Sequence, residues 1–144
     1  MAIFLDEFRK FNVTQSQYGC LRVLQKYSDI DQIAVGRLVG LDRSTAGLVI
    51  KALSDRGLIE RVINRADKRR MRLRIAPAGE ELLGEMASAA ARAHERVLSG
   101  LPRELHSKFL AMLEQFLSGH DALIDVDDVL STSTAATKSK KQAR

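Results

Sequence analysis

The sequence predicts a mainly α-helical fold that carries one small β-hairpin, an α+β arrangement. Over most of the 144 residues, apolar side chains recur every three or four positions, which is the period of an amphipathic helix. Between residues 58 and 75 the period falls to two, as in strands with one buried face. The length and the hydrophobic content of 45% fit one globular domain with its own core.

Two helices are predicted before residue 28. The first covers residues 3 to 11, and one of its faces carries three aromatic side chains, Phe4, Phe8 and Phe11. The second begins at a capping box, in which Thr14 and Gln17 exchange hydrogen bonds between side chain and backbone. Its apolar stripe extends this helix to about Tyr27.

A third and a fourth helix follow, joined by the short turn Gly40-Leu41-Asp42. Asp31 is the predicted N-cap of the third helix, and Gly40 ends it because glycine readily adopts the backbone of a tight turn. Asp42 caps the fourth helix, and Gly57 closes it. The predicted buried face of the fourth helix consists of Ala46, Val49, Ile50 and Leu53. Its other face is small or basic.

Strands over residues 58–63 and 71–75 form a hairpin with a polar and basic tip. Between Arg56 and Arg74 lie eight basic and two acidic residues, a net charge of +6 where the whole chain carries +5. We interpret this segment as a phosphate-binding surface, and a solvated charged face is the alternative.

Two more helices complete the predicted fold. Pro77 begins a long helix that ends near Leu98, and Pro102 begins the last helix, which ends near Gly119. The last helix has a wide apolar stripe that consists of Leu105, Phe109, Met112, Leu113, Phe116 and Leu117. From residue 125 onward the composition becomes polar and basic, which predicts a disordered tail.

The third and fourth helices have the pattern of a helix-turn-helix, whose second helix enters the major groove of double-stranded DNA. The candidate major-groove residues are Arg43, Ser44, Thr45, Gly47 and Lys51. Free amides at the start of the fourth helix are also expected to favour a phosphate. The alternative interpretation is a pair of core helices with an inert polar side.

The hairpin is then the wing of a winged helix-turn-helix, and its tip is predicted to reach the minor groove. The candidate wing residues are Arg65, Asp67, Lys68, Arg69, Arg70 and Arg72. Among these, Arg69 is the candidate for insertion into the groove. Asp67 is interpreted as the partner that orients this guanidinium rather than as a catalytic acid.

Five short motifs resemble the signature of the MarR family of transcriptional regulators. They are Asp42-Arg43-Ser44-Thr45, Leu53, Asp55-Arg56-Gly57-Leu58-Ile59, Asp67-Lys68-Arg69 and Ile75-Ala76-Pro77-Ala78-Gly79. The resemblance is close over residues 14 to about 83, and the terminal helices agree in pattern and length. Residues 30 to 47 look most like the branch of the family that regulates aromatic-acid catabolism.

The resemblance implies a triangular homodimer that presents two recognition helices and two wings to a palindromic operator. Residues 1–12 and 77–124 are then the helical dimerisation region, residues 13–76 the DNA-binding lobe, and residues 125–144 a disordered basic tail. The resemblance also implies that the protein represses transcription. The sequence independently favours a dimer, because the terminal helices carry more apolar surface than a monomer of this size covers. No stretch approaches the ~20 apolar residues of a membrane span, and a cytoplasmic protein is expected.

Two features depart from the family pattern. Ala76 replaces the usual threonine and so removes a side-chain cap from the fifth helix, at a cost of about 1 kcal/mol. Gly47 and Leu48 lie where many family members carry polar or basic side chains that contact DNA bases. Direct base contacts are therefore expected to depend on fewer side chains.

The resemblance also implies a small aromatic acid as the ligand that releases the DNA. Tyr18 and Arg22 on the second helix are the candidates for stacking on this acid and pairing with its carboxylate. Core packing for Tyr18 and a plain surface position for Arg22 are the alternatives. Cys20 is interpreted as a buried, inert thiol rather than an oxidant sensor, since no cation or helix N-terminus lies beside it.

No metal and no cofactor are predicted. The three histidines lack ligand spacing, and one cysteine builds neither a thiolate site nor an internal disulfide. A Gly-rich phosphate loop and a nucleophile beside a base are also missing, which argues against an enzyme. Two alternatives stay open: a ligand-independent or redox-responsive regulator of the same fold, and an interaction module whose basic hairpin docks on an acidic protein.

Overall fold

The computed structural model describes residues 2–63, 71–118 and 126–135. Its helices are α1 (Ala2–Phe8), α2 (Gln15–Lys26), α3 (Gln32–Val39), α4 (Arg43–Asp55), α5 (Pro77–Leu98), α6 (Arg103–Ser118) and α7 (Val126–Ala135), and a 3-10 turn at Arg9–Phe11 follows α1. Its strands are β1 (Ile30–Asp31), β2 (Ile59–Ile63) and β3 (Met71–Ile75). The predicted mainly α fold with a small antiparallel sheet is confirmed. None of the described helices is both long and apolar enough to span a membrane.

The predicted caps set the ends of the early helices. Thr14 Oγ1 accepts a hydrogen bond from the Gln17 amide at 3.2 Å, and Gln17 Oε1 accepts one from the Thr14 amide at 3.0 Å. Asp31 Oδ1 accepts from the Ala34 amide at 2.9 Å. Gly40 ends α3 with a φ of +78°, which a residue with a side chain adopts only at a cost.

The sheet contains three antiparallel strands in the order β1-β3-β2. Leu73 in the central strand lies opposite Ile30 on one side and Arg61 on the other. The hairpin strands β2 and β3 match the predicted ranges closely. The sequence does not predict β1, because a strand of two residues has no measurable period.

Most of the core lies between α2, α3, α4 and the sheet, where Leu21, Ile50 and Leu53 are fully buried. A second apolar cluster joins α1 to α5, and Phe8 and Met86 are its centre. Phe8 is 1% exposed. The chain covers this ring by itself, so Phe8 adds nothing to the free apolar surface that the sequence predicts for the first helix.

Ion pairs hold the outer side of α1 against α5. Arg96 pairs with Asp6 at 2.8 Å and with Glu7 at 3.0 Å, and Arg92 pairs with Glu7 at 2.9 Å. Hydrogen bonds from Arg96 are the largest cause that lowers the pKa of both carboxyls below their ordinary values. These pairs are therefore intact at neutral pH and weaken only in acid, as the pH falls through the lowered pKa values.

No residue of α6 is buried within the described part of the chain. Its predicted apolar stripe faces solvent along its whole length, with Met112 59% exposed and Leu117 62% exposed. A continuous apolar surface of this kind is uncommon on a monomeric protein. Most of the apolar surface of this helix therefore stays exposed in the described part of the chain.

The prediction of disorder from residue 125 is wrong for residues 126–135, which form α7. Val129 is 1% exposed and belongs to the main core, where α7 lies beside α3 and β1. Burial of Val129 and Leu130 offsets part of the ordering entropy of this segment, although its overall composition is polar. Residues 136–144 of the predicted tail lie outside the described residues.

We predict that Gly79→Ala destabilises the fold. Gly79 lies in the first turn of α5, where an added Cβ would overlap the carbonyl oxygen of Leu58 and lie 2.9 Å from Cγ1 of Ile75. That carbonyl is held in place because it accepts a hydrogen bond from the Ala76 amide at 3.0 Å. The free energy of unfolding, measured in urea, should fall by about 1–3 kcal/mol.

Gly84→Ala in the same helix is the matched control. Apart from its chain neighbours and the nearby backbone of α5 itself, no described atom lies within 4 Å of a Cβ added at Gly84. The better helix propensity of alanine should therefore stabilise the protein by about 0.5–1 kcal/mol. Equal effects of the two substitutions would contradict the close approach at Gly79.

Candidate nucleic-acid interface

Helices α3 and α4 cross at close range because the residues at their contact are small. A Cβ added at Gly36 would lie 3.0 Å from the Cβ of Ala46 and 3.4 Å from the carbonyl oxygen of Leu41. Across this contact α4 buries Ala46, Ile50 and Leu53. Its opposite side faces solvent, which is the helix-turn-helix geometry that the sequence predicts.

Asp42 begins α4 and occupies two of the first amides of that helix. Its Oδ1 accepts hydrogen bonds from the amides of Ser44 and Thr45 at 2.9 and 3.0 Å. The Thr45 hydroxyl also donates to this carboxylate, and that bond is the largest cause that lowers the pKa of Asp42. The cap therefore takes two amides that the sequence analysis left free for a phosphate.

The outward side of α4 presents basic and small residues. Three predicted groove residues are exposed in its first turn: Arg43, Ser44 and Thr45. Lys51 is exposed too, but its Nζ lies 2.6 Å from Oδ2 of Asp55. Exposed pairs one helical turn apart contribute only about 0.3–0.5 kcal/mol, so a phosphate competes with Asp55 at little cost.

Gly47 is the one predicted groove residue without a side chain, and α3 covers it. A Cβ added at Gly47 would lie 3.2 Å from Nε2 of Gln32, the first residue of α3. Gln32 and Arg43 line the same open cleft of about 200 Å³ between α3 and α4. Gln32 is not predictable as part of this surface from the sequence, because no local pattern connects residues on two different helices.

Asp29 fixes the base of the wing. Its carboxylate accepts two hydrogen bonds from the guanidinium of Arg74, at 2.5 and 2.9 Å. Its carbonyl oxygen accepts one from Nη1 of Arg72 at 2.7 Å. The φ of Asp29 is +62°, a left-handed conformation that aspartate tolerates better than most residues do. The role of Asp29 is not predictable from the sequence, since an isolated residue between two elements has no periodic signal.

The predicted wing residues fall into two groups. Arg72 is half-buried at the wing base, where it contacts Asp29. The others lie outside the described residues: Arg65, Asp67, Lys68, Arg69 and Arg70. Within the described residues, the strand pairing extends to Ile63 opposite Met71, and the basic sequence of residues 64–70 lies between these two positions in the chain.

Arg56 connects the end of α4 to the segment between α1 and α2. Its Nη1 donates to the carbonyl oxygen of Asn12 at 2.7 Å, and its Nη2 donates to that of Phe11 at 3.4 Å. From the sequence, Arg56 is a member of the basic segment and of one family motif. In the structure it also joins the helix-turn-helix to the segment that follows α1.

Tyr18 and Arg22, the two candidate ligand residues, line different cavities. Tyr18 packs on Phe8 with ring centroids 4.9 Å apart and borders a cavity of about 390 Å³ whose wall includes Phe4 and His94. Arg22 is exposed, donates to Gln25 Oε1 at 2.8 Å and borders a separate cavity of about 470 Å³ beside α7. The structure therefore does not bring the two residues to one site.

Cys20 is fully buried, as predicted. Desolvation by the surrounding core raises the pKa of its thiol to about 11. Oxidants and alkylating agents react with the thiolate, which is scarce at neutral pH when the pKa is this high. Among the described residues, no cluster of histidine, cysteine and carboxylate side chains is suited to bind a metal ion.

The sequence model of the MarR family matches residues 13–71, which include α2, α3, α4 and β2. A protein of Thauera aromatica, described as a transcriptional regulatory protein for the hcr operon, is 32% identical over 80 residues. That alignment covers 56% of this chain and 48% of the relative, so the chain spans about half of the relative's length.

Solved structures extend the similarity beyond residues 13–71. A probable transcriptional regulator from Pseudomonas aeruginosa is 27% identical, with a TM-score of 0.71 over 80% of this chain and 86% of that chain. The PcaV transcriptional regulator from Streptomyces coelicolor, solved with its natural ligand, is 29% identical, with a TM-score of 0.66 over 78% of this chain and 82% of that one. The matched residues 13–71 are less than half of the chain. In that segment and in its fold the chain is similar to MarR-family transcriptional regulators, in agreement with the five sequence motifs and the helix-turn-helix geometry.

Proposed function

We propose that this chain is a homodimeric, sequence-specific DNA-binding repressor of transcription that binds a palindromic operator and is released by a small aromatic acid. The observation that carries the proposal is the outward side of α4. It is exposed and free of unpaired acidic side chains, and it lies beside a hairpin whose tip sequence is strongly basic. Double-stranded DNA offers adjacent grooves for such a helix and such a hairpin.

The first turn of α4 supports contacts in the major groove. Arg43 is exposed and long enough to reach a guanine edge, and Ser44 and Thr45 carry hydroxyls that suit several bases. Asp42, the acidic residue nearest to them, has its carboxylate bonded to the amides of its own helix. The approach of a phosphate backbone to this turn therefore meets little repulsion.

The wing supports contacts beside that groove. Asp29, which precedes β1, accepts hydrogen bonds from Arg72 and Arg74 of β3. These bonds hold the base of the hairpin in place. The tip sequence supplies cations that suit the minor groove and the phosphates, and Arg69 is the residue that we propose for insertion. A DNA-binding regulator works beside the chromosome, so we also propose that the protein acts in the cytoplasm.

The exposed stripe of α6 supports a homodimer. A second copy that packs its own α6 on this stripe would bury the apolar side chains of both chains at once. Two-fold symmetry then places two recognition helices on one side of the dimer, in major grooves about one helical turn, ~34 Å, apart. The operator half-sites would be inverted repeats.

The cavity beside Tyr18 supports release by a ligand. It is lined by the aromatic rings of Phe4 and Tyr18 and by the imidazole of His94, which suit an aromatic acid. Its wall joins α1 and α5, on the proposed dimerisation side, to α2 and α3 of the DNA-binding lobe. The PcaV transcriptional regulator, whose structure was solved with its natural ligand, has a similar fold. The burial of Cys20 argues against a redox-responsive alternative.

Selection of duplexes from a random pool tests DNA binding. The wild-type protein should enrich an inverted repeat whose half-sites are one helical turn apart, with affinity that falls steeply as salt rises. Arg43→Ala should lower discrimination at one half-site position by about 1–3 kcal/mol, whereas Arg69→Glu should weaken binding to all sequences.

Arg103→Ala is the control for those two variants, because Arg103 is an exposed arginine of α6 that pairs with Glu95. It should bind the selected duplex as the wild type does. Failure of the wild-type protein to enrich any sequence, or binding without salt dependence, would rule out the proposed activity.

Met112→Asp should convert the dimer into a monomer. Met112 is 59% exposed on the apolar stripe of α6, and a carboxylate there would be buried unpaired in the proposed interface. Sedimentation equilibrium should give about twice the chain mass of 16.0 kDa for the wild type and the chain mass for the variant. Ser107→Asp, on the opposite side of α6, is the control, and a wild-type protein that stays monomeric contradicts the proposal.

An aromatic acid from a broad panel should raise the melting temperature and release the selected duplex. We expect His94→Leu to weaken this response, because His94 borders the Tyr18 cavity. Arg22→Ala should leave the response unchanged, because Arg22 borders the other cavity. If no acid in the panel changes either quantity, the regulator is ligand-independent.

A further inference from the structure

The outward side of α4 has a gap in its row of side chains. Arg43, Gly47 and Lys51 are spaced four residues apart and follow one line along the helix. The first and last members of this row are long and cationic, whereas Gly47 has no side chain. A helix of this kind presents a base-reading group at both ends of the row and none in the middle.

Gln32 fills that gap from the neighbouring helix. Its Nε2 lies 3.2 Å from the position that a Cβ of residue 47 would take. The glutamine is half-buried, and within the described part of the chain its carboxamide makes no hydrogen bond. Its donor and acceptor groups are therefore available to a molecule that approaches α4.

The crossing of α3 and α4 holds Gln32 at this place. The small residues Gly36 and Ala46 bring the two helices together one turn further along α3. Gln32 and Arg43 then border the same open cleft between the helices. A DNA edge that reaches Arg43 in this cleft also reaches the carboxamide.

We propose that Gln32, on α3, is a specificity-determining residue that reads a base edge in place of the side chain missing at Gly47. This inference rests on the proposed function, since it needs α4 in the major groove. A carboxamide offers one donor and one acceptor side by side, the arrangement that matches N7 and N6 of adenine. The base is an adenine located between the contacts of Arg43 and those of Lys51.

A base edge is favoured over a phosphate by the position of the group. A phosphate contact is expected from side chains at the flanks of a recognition helix, which face the two rims of the groove. The Gln32 carboxamide instead lies over Gly47 in the middle of the row, between the side chains of Arg43 and Lys51. An uncharged group at that position is suited to select a base.

The test uses the duplex that the full-length wild-type protein selects from a random pool, together with all single-base variants of one half-site. Gln32→Ala should lower discrimination at one position by about fivefold to a hundredfold and leave the other positions unchanged. Gln25→Ala is the matched control, because Gln25 is an exposed glutamine of α2 whose carboxamide bonds Arg22.

Gly47→Ala tests the same contact without removing the glutamine. Its Cβ displaces the end of a flexible side chain, so folding is preserved, and the preference should weaken at the same position that Gln32→Ala affects. In the double variant the two losses of base preference should not add, since both substitutions remove the same contact.

Uniform weakening across all duplexes, or no change in Gln32→Ala, would overturn the inference, because a phosphate contact or a packing role gives those results. A Gly47→Ala effect at a different position would overturn it as well. If the wild-type protein selects no sequence at all, the proposed function itself has failed. If the wild type selects an operator that Gln32→Ala reads identically, only the role of Gln32 has failed.

Discussion

The close packing of α3 on α4 is the constraint on which the rest of the interface depends. Gly36 and Ala46 leave so little space between the helices that larger side chains there would force them apart. This contact turns the exposed side of α4 away from the core and aligns Gln32 with Gly47. The proposed recognition surface thus consists of residues from two helices, and small residues on the buried side decide which polar groups meet on the outer side.

The capping of α4 shows how one residue serves two structural roles. Asp42 ends the turn and occupies the amides of Ser44 and Thr45, so the helix begins at a fixed residue. The same bonds keep its carboxylate from standing as an unpaired negative charge beside Arg43. An acidic residue is in this way compatible with a surface that is proposed to approach phosphates, because the helix dipole and three donors hold its charge locally.

Helices α1 and α5 pack against α2 and the sheet through both apolar and polar contacts. Phe8 packs on Tyr18, and Leu83 of α5 belongs to the main core. Arg56 adds hydrogen bonds to the carbonyl oxygens of Phe11 and Asn12, and an open cavity beside Tyr18 lies at the same boundary. In addition, α7 packs Val129 into the main core beside α3.

The sequence by itself determined the helices, their caps, the hairpin and the helix-turn-helix, because capping bonds, turn glycines and apolar periods act over a few residues. It also indicated a resemblance to the MarR family, which rests on five short motifs. Only the tertiary structure decided that Asp29 bonds the base of the wing and that Gln32 lies over Gly47. It also decided that Tyr18 and Arg22 border different cavities. The helix Val126–Ala135 is likewise a result of tertiary packing. Each of these depends on contacts between residues that are distant along the chain, where burial and hydrogen bonding outweigh local composition.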